Sequence, residues 1–362
     1  MIRRMTIRDM DWLLLLITIA IAAVGVVEIY STNAHTALAG QYRKQADWIV
    51  VGVILSVVIS QIDYHVVMEH IAPFFLLGAL GLVFLLVGGH AVAGTRRWVQ
   101  LGRLTFQVSE MMKVVIIVCV AAYFGSRRSQ GVSWRDIFAL GILAGIPAIL
   151  VALEPDLGTA LTFFPSVAVG LFLAGIRWKQ IGTLFLLALL MLPVGWRVMR
   201  PYQRARLMSF THPKQNTQGS GYQVTQSKIA IGSGGFWGKG IGKGTQSRLG
   251  FIPVSHADFI FAAFAEEQGF VGTIVLMLLY FILLIRLLDG ALVAGDRAGA
   301  YYVAGLASVL FFQVAVNVGM MIGFLPITGI PLPLMSQGGS SVLFTFIGLG
   351  LTLSIKMRRF VN

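Results

Sequence analysis

Ten apolar blocks run through the chain, each about as long as a bilayer is thick: Trp12–Tyr30, Ala46–Ile62, Ile71–Val87, Val108–Phe124, Ile137–Leu153, Leu157–Ile176, Ile181–Met199, Phe270–Leu288, Ala300–Gly323 and Ser336–Lys356. A membrane-crossing helix needs about 20 predominantly apolar residues. In lipid only helices and closed barrels satisfy the backbone, and barrel strands would alternate polar with apolar side chains. These blocks do not alternate. The expected fold is therefore an all-α polytopic membrane protein with about ten transmembrane helices. Only 12% of the 362 residues are charged, about half the share of a soluble domain. Residues 1–362 read as one transmembrane domain, with no separate soluble unit. Arg3, Arg4 and Arg8 precede the first block as in a signal peptide, but the apolar run is long and lacks an Ala-x-Ala exit. It reads as an uncleaved first helix. Cys119 is the only cysteine, which excludes an intrachain disulfide and a cysteine-built metal site.

Loop charge sets the expected orientation. With the N-terminus inside, the inner segments hold thirteen basic residues (Arg3, Arg4, Arg8, Arg127, Arg128, Arg135, Arg177, Lys179, Arg286, Arg297, Lys356, Arg358, Arg359). The short outer loops hold five, namely Arg43, Lys44, Arg96, Arg97 and Arg103. Cytoplasmic loops carry the excess of Lys and Arg, so both termini are expected in the cytoplasm.

One long polar segment, Arg200–Ala257, then falls outside, between the seventh and eighth helices. It carries eight basic residues (Arg200, Arg204, Arg206, Lys214, Lys228, Lys239, Lys243, Arg248) and no Asp or Glu. It reads as a large basic loop suited to an anionic ligand at the membrane surface. Within it, seven of the thirteen residues from Gly232 to Gly244 are glycine, with Lys239 and Lys243 among them. Glycines let backbone N–H groups approach a phosphate closely. The spacing is not that of a nucleotide P-loop, and the dinucleotide fingerprint is absent. The run reads equally as an anion cradle or as a surface loop.

The segment ends on His256-Ala257-Asp258. Asp258 can cap the next helix, but a lone carboxylate directly after a basic run is also placed for proton transfer. Glu266 lies about 12 Å further along a continuous helix, too far to pair with it closely. Glu110 and Lys113 share one helix face at i, i+3. Ionisable groups at membrane depth are usually paired, so these two read as a structural ion pair. Arg97 and Trp98 precede that helix, where the ring can anchor at the interface or hold a sugar beside the cations. Glu154-Pro155-Asp156 forms a tight outer turn with a capping role. The proline-broken Leu325–Pro333 connection leads to Ser336-Gln337-Gly338-Gly339-Ser340-Ser341, and irregular backbone at membrane depth lines a cavity or is buried in protein.

The order and spacing of these pieces resemble the SEDS family (shape, elongation, division and sporulation), in particular its RodA-type branch. The matching residues are Arg97-Trp98, Gln107-Val108-Ser109-Glu110, Glu154–Thr159, Tyr202-Gln203-Arg204, Gln226–Gly235, His256–Phe261 and Gly329–Pro333. Val108 and Gln337 depart from the family's usual Pro and Tyr. The resemblance implies a peptidoglycan glycosyltransferase that polymerises lipid II, a disaccharide-pentapeptide on undecaprenyl diphosphate. The family's catalytic aspartate maps onto Asp258. A class B penicillin-binding protein is the implied protein partner, the bacterial plasma membrane the implied location, and no nucleic acid is involved.

The chemistry is consistent with the residues. A diphosphate leaves readily once its charge is screened, so Arg97, Trp98, Arg204, Lys228, Lys239 and Lys243 are the expected substrate-binding residues. One carboxylate, Asp258, suffices as base for a single inverting displacement. No His/Asp/Glu cluster marks a protein-built metal site. A divalent cation, Mg or Mn, fits the diphosphate. The alternatives are a lipid II flippase and a non-catalytic scaffold for the penicillin-binding protein. A flippase should carry charge along a central path and on both faces.

Overall fold

A computed structural model of the chain describes residues 9–34, 38–88, 97–101, 104–127, 131–211, 219–252 and 256–359. Expectations on Arg3, Arg4, Arg8, Arg96, Arg103, Arg128 and Lys214 lie outside them. In chain order the elements are α1 (Trp12–Asn33), α2 (Gln41–Gln61), α3 (Tyr64–Glu69), α4 (Ile71–Gly88), strands β1 (Val99–Leu101) and β2 (Leu104–Phe106), α5 (Val108–Gly125), α6 (Trp134–Leu153), α7 (Leu157–Leu161), α8 (Phe164–Leu173), α9 (Trp178–Val198), α10 (Pro201–Thr211), α11 (Ser220–Gly234), α12 (Thr245–Arg248), α13 (Ile260–Leu292), α14 (Arg297–Ile322) and α15 (Gly339–Met357).

Among the described residues nine helices are long and apolar enough to cross a membrane: α1, α2, α4, α5, α6, α9, α13, α14 and α15. The remaining expected span, the sixth (Leu157–Ile176), is broken at Thr162-Phe163 into α7 and α8. Pro165 near the start of α8 lacks the N–H that a continuous helix would need. α13 is bent at Gly269, whose φ of 65° is left-handed. The sequence suggests a continuous helix from Asp258 into the eighth span and does not foresee this break. A Cβ on Gly269 would collide with the Phe236–Gly238 backbone, so the bend and the packing of the glycine run require this residue.

In lipid, helix association relies on close packing more than on water exclusion. α15 packs against α2, and α14 packs against α5, α13 and α8. Gly350 of α15 lies directly against the Ser56 backbone of α2. α5, α14 and α15 are mostly buried, whereas α9 is almost wholly exposed.

Charges gather at the two ends of the bundle. At one end, Asp11 caps α1, accepting from Leu14 N at 3.1 Å, and binds Arg286 of α13 at 2.8 Å and Lys356 of α15. Nearby Asp296 caps α14 through Gly299 N and takes the Tyr64 hydroxyl at 2.7 Å. Asp136 of α6 binds Arg127 and the Tyr123 hydroxyl. These cations belong to the thirteen expected inside. Arg97, Asp156, Arg206 and Asp258 lie at the opposite end.

The Arg200–Ala257 segment is the expected long connection between two spans, here α9 and α13, and it is partly helical. It contains α10, α11 and α12, and α11 packs along α13 and α14.

Candidate active site

Asp258 lies in a turn just before α13. The N-cap of that helix is Phe259, so the capping role expected for Asp258 is not realised. Its backbone is instead pinned by the proline-broken connection. Asn317 Nδ2 of α14 donates to the Asp258 carbonyl at 2.9 Å and to the Ile330 carbonyl at 2.8 Å. Ser336 Oγ donates to the Ala257 carbonyl at 2.7 Å, and Gln337 N donates to the His256 carbonyl at 3.0 Å. The irregular segment after α14 thus serves as a template for the turn that carries the acid.

The carboxylate faces Gly329, where φ is +76°. A Cβ there would sit 3.5 Å from Asp258 Oδ2 and 3.9 Å from Arg206 Nη1. The absent side chain leaves a gap that both the acid and the guanidinium border. Burial pushes the Asp258 carboxyl up to about 6, Asp156 pushes the same way, and Arg206 and Arg97 oppose them.

Asp156 caps α7 through Thr159 N at 3.1 Å, as the sequence indicated. Its other oxygen lies 3.4 Å from Arg97 Nη1 and accepts from Gln107 Nε2 at 3.4 Å. Arg97 also donates from Nε to the Glu154 carbonyl at 2.8 Å, and its Nη2 binds the Pro155 carbonyl. Glu154 is buried, and its Oε1 has no hydrogen-bond partner among the described residues. Burial, with Asp156 adding to it, pushes this carboxyl up to about 8.

A cavity of about 550 Å³ opens here, lined by Arg97, Pro155, Arg200, Pro201 and Arg206. Arg200 and Arg206 were not singled out from the sequence. Both belong to the acid-free run, and Arg206 follows the Tyr202-Gln203-Arg204 motif by two residues.

Of the other expected residues, Arg204, Lys228 and Lys239 make contacts elsewhere. Arg204 donates to the Arg197 carbonyl at 2.8 Å and lies 6.0 Å from the Trp196 ring centre. The Lys228 amine lies against Gly323, the C-cap of α14, where the helix dipole favours a cation. Lys239 Nζ binds Glu266 Oε1 at 2.7 Å, and Lys243 is exposed. Trp98 is half-buried just before β1.

The glycine run does cradle anions, but they are the chain's own. Glu266 Oε1 accepts from Lys239, from the Thr245 amide at 2.8 Å and from the Gln246 amide at 3.0 Å. Glu267 takes the Ser31 hydroxyl of α1 and backbone amides of Gly242 and Gly244. The sequence signal for this was two adjacent acids just after a long run that has none but Asp258.

Lys113 Nζ lies 2.7 Å from Glu110 Oε2, with both side chains under 10% exposed. That is the paired geometry expected of them. Among the described residues no group of three His, Cys, Asp or Glu is placed to hold a metal ion.

Comparison with known proteins finds relatives over nearly the whole chain. The family model of FtsW, RodA and SpoVE, described as cell cycle proteins, matches residues 11–360. The chain is 38% identical over 352 residues to the peptidoglycan glycosyltransferase MrdB of Escherichia coli (strain K12), covering 97% of this chain and 94% of that relative. It is 30% identical over 428 residues to the peptidoglycan glycosyltransferase RodA of Treponema pallidum (strain Nichols), covering 98% and 99%. One solved structure, from work on structural coordination of polymerization and crosslinking by a peptidoglycan synthase complex, superposes with a TM-score of 0.83 at 31% identity, covering 98% and 99% of the two chains. The rod shape determining protein RodA of Thermus thermophilus superposes at 0.73 with 30% identity, covering 98% of each.

Proposed function

The chain belongs to the FtsW, RodA and SpoVE family, and we propose that it is a peptidoglycan glycosyltransferase that polymerises lipid II with Asp258 as general base. The observation that carries this reading is a carboxylate raised to about 6 beside Arg206, next to a cavity lined by three arginines. A base works best with a pKa near the operating pH. The acceptor sugar hydroxyl gives its proton to Asp258 while its oxygen attacks the anomeric carbon of the donor. The bond to the diphosphate breaks, and Arg97, Arg200 and Arg206 stabilise the charge left on it. One displacement at that carbon inverts its configuration. A divalent cation, Mg or Mn, would be held mainly by the diphosphate, since no group of three His, Cys, Asp or Glu among the described residues is placed to hold it, and it would add to the charge screening by the arginines.

In this reading both termini are cytoplasmic and the Asp258 end faces outward, which the loop-charge asymmetry supports. The likeness to a chain of a peptidoglycan synthase complex supports a class B penicillin-binding protein as partner. The test is polymer formation on a gel from lipid II and the purified full-length chain. Wild type should form glycan, and Asp258→Asn should be about 10²–10⁴-fold slower while remaining folded. Polymerisation by Asp258→Asn at close to the wild-type rate would remove the base from this scheme.

A further inference from the structure

A second arginine-lined cavity lies at the end of the bundle opposite Asp258. It measures about 510 Å³ and is formed by the ends of α5 and α8 and the start of α14. Arg127, Arg297, Phe124, Tyr301, Leu173 and Gly175 are among its lining residues. Phe124 and Tyr301 are stacked with ring centres 5.0 Å apart, giving the cavity an apolar wall. Leu173 and its neighbour Phe172 are exposed on α8, so in a membrane this side of the cavity borders acyl chains.

The two cations differ in what they already bind. Arg127 is committed to buried Asp136 and lies 5.2 Å from the Tyr123 ring centre. Arg297 is exposed and has no ion-pair partner among the described residues. The adjacent acid, Asp296, turns its oxygens to Gly299 N, the Tyr64 hydroxyl and the His65 ring. No carboxylate of the described residues lines this cavity.

A guanidinium suits a phosphate through paired N–H donors. Basic pockets between transmembrane helices on the cytoplasmic side suit anionic headgroups. We propose that this cavity is a binding site for the phosphate headgroup of an anionic phospholipid, with Arg297 as its principal contact and the acyl chains lying along α8. The proposal rests on the membrane-spanning fold and the cytoplasmic placement of this end, and not on the glycosyltransferase reading.

Binding is measured by native mass spectrometry and by thermal shift on the purified full-length chain in a neutral detergent. The probes are phosphatidylglycerol, phosphatidylcholine and inorganic phosphate. Wild type should retain phosphatidylglycerol and melt higher with it, and Arg297→Gln should bind it about fivefold more weakly. Arg135→Gln removes an exposed charge near this end that does not line the cavity, and it should bind as wild type does. Equal loss in the two variants would overturn the site in favour of general surface charge. Equal retention of phosphatidylcholine would overturn headgroup selection. Inorganic phosphate giving the same shift at the same concentration would overturn the lipid as ligand. Glycan synthesis from lipid II in lipid-free detergent should be unchanged by Arg297→Gln, which separates this test from that of Asp258.

Discussion

Asn317 holds the carbonyl of Asp258 at 2.9 Å from the C-terminal part of the mostly buried helix α14. The same amide reaches Ile330, so one side chain fixes the acid-bearing turn to the segment that faces it. Asn317→Ala removes both bonds and leaves two carbonyls unsatisfied, at about 1–3 kcal/mol each where buried. Asn317 is a positioning residue, so kcat on lipid II should fall more than KM rises. Unchanged kcat in a variant with a lowered melting temperature would reduce Asn317 to a purely structural role.

The acid limb of the pH–rate profile should report Asp258. Its carboxyl is raised to about 6, so kcat/KM should fall as pH drops below about 6, where the base becomes protonated. Asp156 raises this value and Arg206 lowers it. Asp156→Asn should therefore move the limb to lower pH, and Arg206→Gln should move it to higher pH. An unchanged limb in both variants would mean that another group titrates.

The spans, and the position of Asp258 as a candidate, were legible because they rest on local patterns: apolar runs, and an Asp following an acid-free basic stretch. The interior of that stretch was not. Gly232, Gly234 and Gly235 are loop signals, yet the first two close α11, which is held by packing on α13. Arg204 and Arg206 lie two apart on α10, about 200° around a helix, so the two cannot share a face. Which of them turns toward Asp258 depends on the position of Thr328–Gly329, more than a hundred residues away. The glycine run read equally as an anion cradle or a surface loop, and only the fold supplies Glu266 and Glu267 as its anions.

Glu154 should weaken the fold as pH rises. Its carboxyl is raised from the usual 4.5 to about 8, so the folded chain holds the proton more tightly than the unfolded chain. Stability is then lost between pH ~4.5 and ~8 and levels off above. Glu154→Gln keeps the shape without the ionisation. Its melting temperature should exceed that of wild type by a margin that grows over this range. A constant margin from pH 5 to 9 would show that Glu154 does not titrate there.

The Glu110–Lys113 pair should behave as a unit. Removing either partner leaves the other charge buried at membrane depth, which costs about 3 kcal/mol or more. Glu110→Ala and Lys113→Ala should each melt well below wild type, and replacing both with apolar residues of similar volume should be milder. Single variants that melt like wild type yet do not polymerise lipid II would move the pair into the reaction.

Affinity for lipid II should follow the cavity rather than the overall basicity of the segment. Arg200 and Arg206 line the cavity beside Asp258, whereas Arg204 is turned to Arg197 and Lys239 is spent on Glu266. Arg206→Gln and Arg200→Gln should weaken binding by about tenfold, the size of a lost charge-assisted hydrogen bond. Arg204→Gln should weaken it less. Lys239→Gln should lower the melting temperature, since buried Glu266 loses its cation, and leave affinity nearly unchanged. Rising salt should weaken wild-type binding more than that of Arg206→Gln, because the variant has one screened contact fewer. The measurement is lipid II affinity for the four variants in one detergent at two salt concentrations. If Lys239→Gln loses as much affinity as Arg206→Gln at an unchanged melting temperature, the diphosphate lies over the glycine run and not in the arginine cavity.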